Sequence, residues 1–115
     1  MAKSKVLIIL SSGKEARQKF TAGLSLAYFS IKAALYEDLK VVFHGPSEEL
    51  LLELNEEESE MFTYLLKNGH IDSACVAIAE RAGIDKKLSS LGLKLMPSKD
   101  IIAKYINGGY EALVF

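Results

Sequence analysis

The sequence has few of the residues that form covalent or metal cross-links. Its 115 residues include one cysteine, two histidines, two prolines and no tryptophan. A single cysteine excludes an intramolecular disulfide, so Cys75 is an inert buried residue, a reactive thiol or an intermolecular partner. Because Cys75, His44 and His70 are dispersed along the chain, we expect no metal site. No motif calls for a bound cofactor.

The sequence also lacks an excess of one charge and a long apolar run. Its 14 basic residues almost cancel its 15 acidic ones. The basic residues form no block or stripe, so we expect no nucleic-acid partner. The longest clear apolar run, 6–10, is far shorter than the roughly 18 to 20 residues that span a bilayer. It has no convincing cleavage site after it, so we expect a cytoplasmic protein without a membrane partner.

What the sequence does contain is the composition of one packed domain. Half of the residues are hydrophobic and a quarter are charged, which is typical of globular proteins. The length fits a single domain over 1–115. Strand-like and helix-like segments alternate along the chain. This alternation predicts a three-layer α/β/α Rossmann-like domain with a mainly parallel sheet of about five strands.

Five short segments rich in apolar and branched residues predict the strands. They are Lys5–Leu10, Asp38–Phe43, Ile71–Cys75, 93–96 and 112–115. The first is continuously apolar, which is typical of a strand covered on both faces, so we expect it to be central. The carboxyl ends of parallel strands share one edge of the sheet, and ligands bind there in open α/β folds. The residues that follow each strand are therefore the candidate site.

The segments between these strands have apolar residues at helical spacing, which predicts helices. The predicted helices are 14–35, 76–82, a brief or irregular turn at 86–91, and 98–107. The segment 47–68 predicts either two helices interrupted at 55–59 or one unbroken helix. Its acidic run, 48–60, is interpreted as a solvated helix face.

The first helix has more apolar surface than one core requires. Phe20 and Leu24 belong to the face that packs on the sheet, whereas Leu26, Tyr28 and Phe29 lie around the remaining circumference. Two apolar sides predict a subunit interface and therefore a homo-oligomer. The alternative is that a long loop or the chain end covers the second side.

Cys75 lies where a short strand of small residues turns into a helix. A helix N-terminus offers amides and a partial positive charge to a thiolate, which lowers the thiol pKa and makes the sulfur a nucleophile. The alternative is a packed structural cysteine, which is a common role for this residue. The position at the carboxyl end of a strand makes sulfur chemistry the leading hypothesis.

Two further turns supply candidate supporting residues. Ser11, Ser12 and Gly13 follow the first strand and could bind an anion through their amides, or form a plain turn. The spacing of a phosphate loop is absent. His44 and Gly45 follow the second strand. His44 could orient or protonate a sulfur species, or it could simply fill the turn.

The order of these segments resembles the DsrE/DsrF-like family, which includes YchN-like and Tus-type sulfur-relay proteins. The resemblance is carried by 6–9 with 11–13, by 41–46 with 50–51, by Cys75 with Ala79, Gly83 and Ile84, and by 112–115. It covers nearly the whole chain. It implies a Rossmann-like domain that assembles as a trimer or hexamer. It also implies that Cys75 matches the cysteine that carries a persulfide in the sulfur-relay members.

The resemblance implies a sulfur carrier or sulfurtransferase-like protein. A persulfide forms when a thiolate attacks a sulfane sulfur on a donor, and an acceptor thiol later removes that sulfur. Because Cys75 has no second cysteine beside it in the chain, the sulfur donor and acceptor must be other molecules. Two alternatives are a noncatalytic oligomeric module with a structural cysteine, and a small-ligand or anion-binding protein of the same fold.

Overall fold

The computed structural model describes residues 2–115 and confirms the predicted α/β architecture. In this range five parallel strands form one sheet: Lys5–Leu10 (β1), Asp38–Phe43 (β2), Ile71–Cys75 (β3), Leu95–Met96 (β4) and Glu111–Val114 (β5). Their order is β4-β3-β2-β1-β5. Since β1 pairs with β2 on one side and β5 on the other, it is an interior strand, as its continuous apolar run predicts.

Residues 2–115 also contain six α-helices and a short 3-10 turn at Lys14–Ala16. The α-helices are Arg17–Lys32 (α1), Ser47–Leu50 (α2), Glu56–Lys67 (α3), Val76–Ala82 (α4), Asp85–Ser90 (α5) and Ser98–Asn107 (α6). None of these helices has the length and apolar character needed to cross a membrane.

The segment 47–68 folds as two helices rather than one. A capping box at Asn55 explains where α3 begins. The Asn55 side chain accepts the Glu58 N–H at 2.8 Å, and the Glu58 carboxylate accepts the Asn55 N–H at 3.0 Å. These two hydrogen bonds satisfy main-chain donors that the first turn of a helix leaves free.

The helices cover the two faces of the sheet and produce the three layers. On one face, α1 to α5 contribute to a large apolar core around Ile8, Phe20 and Phe43. On the other face, α6 packs Ile101 and Tyr105 on β1 and β2. Successive strand residues point to opposite faces, so β1 and β2 supply residues to both cores.

The edge strand β4 is shorter than predicted. The predicted strand covers 93–96, whereas the observed strand contains Leu95 and Met96. Leu93 is instead buried in the large core, and the Lys94 carbonyl accepts the Ala74 N–H at 3.0 Å. Paired residues therefore begin at Leu95, and the Lys94 carbonyl accepts the first hydrogen bond from β3.

The last strand is displaced by one residue from the predicted 112–115. It covers Glu111–Val114, and the Phe115 N–H then donates to the Ile9 carbonyl at 2.9 Å. The Phe115 ring packs towards α1, where a Cβ on Gly23 would lie 2.9 Å from the ring Cγ. This close approach explains the glycine in the middle of α1.

The acidic run 48–60 is not wholly a solvated helix face, so that interpretation is wrong in part. Glu58 is 1% exposed and is bound by the Arg17 guanidinium and the Thr21 hydroxyl, each at 2.6 Å. Burial raises the pKa of Glu58, but these donors have the larger opposing influence and the pKa is lowered. Glu48 is also buried, but in residues 2–115 no side chain donates a hydrogen bond to its carboxyl group.

The second apolar side of α1, formed by Leu26, Tyr28 and Phe29, is covered by the chain itself at Tyr28 and exposed at the other two residues. Tyr28 packs edge-to-face against Tyr64 of α3, with 5.2 Å between ring centroids, and so belongs to the chain's own packing. Leu26 is exposed, and Phe29 is 62% exposed. Within residues 2–115, no loop or chain end buries Phe29.

Candidate functional site

The turn after β2 is held against the loop that follows β1. His44 donates its main-chain N–H to the Leu10 carbonyl at 3.0 Å, and Ser47 donates its N–H to the Ser11 carbonyl at 3.0 Å. The Ser47 hydroxyl also donates to the Leu10 carbonyl, at 2.5 Å. Gly45 has a φ of +76°, which favours glycine. These contacts fix the direction in which α2 leaves the sheet.

The amides of the first loop are occupied by groups of the chain itself. The Ser11 and Ser12 N–H groups donate to the Phe115 main-chain oxygen at 2.7 and 3.1 Å. The Gly13 N–H donates to the Glu15 carboxylate at 2.7 Å. The loop therefore has the geometry of a closed turn and offers these amides to no further anion.

Cys75 ends β3 and is brought next to the start of α6. Its β4 partner in the sheet is Met96, which precedes α6 by two residues. The His44 Nδ1 atom lies 2.8 Å from the Ser98 Oγ atom. The structure thus joins two predicted site residues, Cys75 and His44, through Ser98. The sequence predicts all three residues at the same edge of the sheet, because each lies at or just after the carboxyl end of a strand.

The pKa of the Cys75 thiol is lowered to about 6. Burial alone would raise it, but the Ser98 hydroxyl, the Ile78 and Ser98 amides and the His44 ring all favour the thiolate. In the described chain the Cys75 side chain makes no capping hydrogen bond to the first turn of α4. These four polar groups lie close to the sulfur and stabilise its negative charge, although the sulfur does not cap α4.

Glu48, in α2, is a buried carboxyl that sequence reasoning missed. It is 0% exposed, and neither side-chain oxygen has a hydrogen-bond partner among residues 2–115. Burial first, and then the negative charge of Cys75, raise the pKa of Glu48 to about 8, while main-chain groups of Cys75 and Gly45 oppose this in part. At neutral pH the site therefore contains a carboxylic acid beside a thiolate.

A groove of about 580 Å³ lies beside this pair. Its lining includes Ile78, whose amide stabilises the Cys75 thiolate, and Glu48, whose pKa the charge of Cys75 raises. Pro46, Arg81 and Ile84 also line it. In the part of the chain that the structure describes, Arg81 forms no salt bridge. An apolar wall with a few polar groups is typical of a small-molecule site.

Two other titratable residues, His70 just before β3 and Asp72 within it, have partners of their own. The His70 Nδ1 atom is 3.0 Å from the Leu39 carbonyl oxygen, and Asp72 accepts the Tyr105 hydroxyl at 2.5 Å. The described residues include no group of three His, Cys, Asp or Glu side chains placed to hold a metal ion. The chemistry of the site therefore rests on Cys75, His44 and Ser98, which the sequence predicts at one edge of the sheet, and on Glu48, which the sequence does not place there.

Comparisons with known proteins show the fold. No family model matches the chain, and no curated protein matches it. A solved structure, of the conserved protein of unknown function BT1422 from Bacteroides thetaiotaomicron, is similar with a TM-score of 0.77 and 19% sequence identity. The similarity covers 97% of this chain and 95% of that chain. The protein therefore shares a Rossmann-like α/β fold with BT1422.

Proposed function

We propose that this protein is a sulfur carrier that holds a persulfide on Cys75, as the resemblance to the DsrE/DsrF-like family implies. The observation that carries the proposal is the lowered pKa of the Cys75 thiol, about 6. At neutral pH such a thiol is mostly thiolate, and the thiolate is the nucleophile in sulfur transfer. The anion-binding alternative has less support, since the Ser11–Gly13 amides are occupied.

The proposed reaction moves one sulfur atom between thiols. The Cys75 thiolate attacks the sulfane sulfur of a donor persulfide, so a new S–S bond forms and the donor S–S bond breaks. The donor leaves as a thiol after it gains a proton. An acceptor thiolate later attacks the outer sulfur and removes it. The number of S–S bonds is unchanged, so no separate oxidant is required.

His44 acts in this proposal by positioning Ser98. When the Ser98 hydroxyl donates its hydrogen towards the thiolate, its oxygen is free to accept an N–H from the His44 Nδ1 atom 2.8 Å away. This arrangement assigns the proton to Nδ1 of His44 while Cys75 is ionised. His44 thereby keeps the Ser98 hydroxyl directed at the sulfur.

One observation favours a noncatalytic role with a packed cysteine. Cys75 is 5% exposed, so a donor must reach the sulfur past the residues around it. The two roles differ in the reactivity of the folded protein. A packed thiol reacts with iodoacetamide only after unfolding, whereas the sulfur carrier reacts in the native state with a rate that follows thiolate formation.

The proposal includes assembly of a cytoplasmic homo-oligomer, a trimer or hexamer, with separate donor and acceptor proteins. Exposed apolar side chains support self-association: Phe29 on α1 is 62% exposed and Val114 on β5 is 65% exposed. Light scattering at micromolar concentration should give a mass above that of one chain. A monomer would contradict this part of the proposal.

The direct test is the mass of the intact protein after incubation with glutathione persulfide. We expect a gain of one sulfur atom that a reducing thiol removes. The matched control is Cys75→Ser, which should gain none. An unchanged mass, or an equal gain in Cys75→Ser, would show that Cys75 does not carry sulfur.

A further inference from the structure

We propose that Glu48 is the proton donor of this site: it protonates the thiolate that leaves into the adjoining groove and regains a proton from the new persulfide. The proposal rests on the proposed function of Cys75 and adds a residue with a stated chemical role. It also assigns the substrate class, a small persulfide whose thiol portion occupies the groove.

The first support is that Glu48 is buried without a partner. Glu58 provides a comparison within the same chain, since it is equally buried but bound by Arg17 and Thr21. Neither oxygen of Glu48 has a hydrogen-bond partner in the described residues. An ionised carboxylate is very unfavourable in such surroundings. Glu48 therefore keeps its proton at rest, consistent with its pKa of about 8.

The second support is that Glu48 borders both the thiol and the groove. It lines the groove together with Ile78 and Arg81, and the Ile78 amide is one of the groups that stabilise the Cys75 thiolate. A thiol released from the donor on this side departs along a groove that Glu48 lines. The unpaired guanidinium of Arg81 suits a donor that carries a carboxylate.

The third support is the charge balance of the pair. Two adjacent buried negative charges disfavour each other, so Cys75 and Glu48 titrate as a coupled pair that holds one negative charge near neutral pH. His44 is the other titratable group that acts on the thiol. Glu49 and Arg81 face the groove from α2 and α4.

The reaction can proceed without adding charge to this site. The Cys75 thiolate attacks the terminal sulfur of a neutral persulfide, RSSH, and the donor S–S bond breaks. The leaving RS⁻ takes the Glu48 proton and departs as RSH. Glu48, now a carboxylate, removes the proton from the new Cys75 persulfide. One negative charge is present before and after, and no electrons are gained or lost overall.

The test compares Glu48→Gln with wild type on two reagents that differ in the leaving group. Glutathione persulfide releases an alkyl thiol that needs a proton, whereas an aryl disulfide such as dithiobis-nitrobenzoate releases a stable thiolate. We expect Glu48→Gln to slow loading from the persulfide about 100-fold, the low end for general acid catalysis, and to leave the aryl disulfide reaction nearly unchanged. Glu56→Gln, which alters an exposed acid of α3 outside the groove lining, should leave both rates unchanged.

A second measurement tests the proton directly. Infrared spectra of the wild-type protein should contain a protonated carboxyl band at pH 7 that disappears near pH 8, in line with the pKa of Glu48. In Glu48→Gln, thiolate formation by Cys75 should keep a midpoint near that of wild type, because Glu48 is already neutral there. The infrared experiment requires no variant, so it remains decisive if Glu48→Gln fails to fold.

Three outcomes would overturn the proposal. They are equal slowing with both reagents, unchanged loading from the persulfide, and the absence of a protonated carboxyl band at pH 7. Unchanged loading in Glu48→Gln would leave Cys75 as a sulfur carrier and remove only Glu48. If wild type takes up no sulfur, the proposed function fails, while the infrared band still decides whether Glu48 holds a proton.

Discussion

Replacing Ser98 by alanine removes the hydroxyl that has the largest lowering influence on the pKa of Cys75. A hydrogen bond to a charged group contributes roughly 1.5 to 3 kcal/mol, and one pKa unit corresponds to about 1.4 kcal/mol. Ser98→Ala should therefore raise the thiol pKa from about 6 to roughly 7 or 8. The remaining amides and His44 keep it below the value of a free cysteine.

The assay is ultraviolet absorbance of the thiolate as a function of pH, with the iodoacetamide rate as a second readout. At pH 6 the thiolate fraction should fall roughly 5- to 50-fold relative to wild type. At high pH both proteins are fully ionised, and the iodoacetamide rate of Ser98→Ala should equal or exceed that of wild type because a more basic thiolate is intrinsically more nucleophilic.

Ser90→Ala is the matched control, since the Ser90 hydroxyl donates to the Lys86 carbonyl at an exposed position of α5 and does not act on Cys75. It should leave the titration midpoint of Cys75 unchanged. An unchanged midpoint in a folded Ser98→Ala protein would show that Ser98 does not stabilise the thiolate. An equal change in Ser90→Ala would trace the effect to general loosening of the fold.

Three further predictions concern stability, measured by urea denaturation. Between pH 4.5 and 8 the folded protein retains a Glu48 proton that the unfolded chain releases. Wild type should therefore become progressively less stable than Glu48→Gln as pH rises through this window, by on the order of 2 kcal/mol at pH 7. Arg17→Met leaves the buried Glu58 without its ion pair and should cost about 1 to 3 kcal/mol. Ser73→Ala removes a buried hydroxyl without a partner in residues 2–115, and should be neutral or stabilising by up to about 1 kcal/mol. A gain for Arg17→Met, or a loss above about 1 kcal/mol for Ser73→Ala, would contradict these assignments.

Local patterns were enough to predict most of the elements. A continuous apolar run predicts the interior strand β1 because both of its faces are covered. The small residues before Val76 and the glycine at position 83 predict the ends of α4, and Gly83 does adopt a φ of +71°. Such features depend on a few neighbouring residues, so they can be read without knowing the fold.

The site depends on contacts that no local pattern contains. Strand order places β4 beside β3, and this brings Ser98 to Cys75, which lies 23 positions earlier in the chain. Glu48 looked like an acidic first-turn residue, a favourable position at a helix N-terminus. One signal could have identified its burial: Glu48 precedes the buried Leu51 by three positions, so both lie on the same side of one helical turn.

Sulfur loading and release, followed in one experiment, decide whether Cys75 carries sulfur. The protein is first incubated with glutathione persulfide, then freed of donor and given an excess of a small acceptor thiol, with the intact mass measured at each step. We predict a gain of one sulfur located on Cys75, followed by its loss and its appearance on the acceptor. A mass that never changes, or sulfur located on any residue other than Cys75, would contradict the claim.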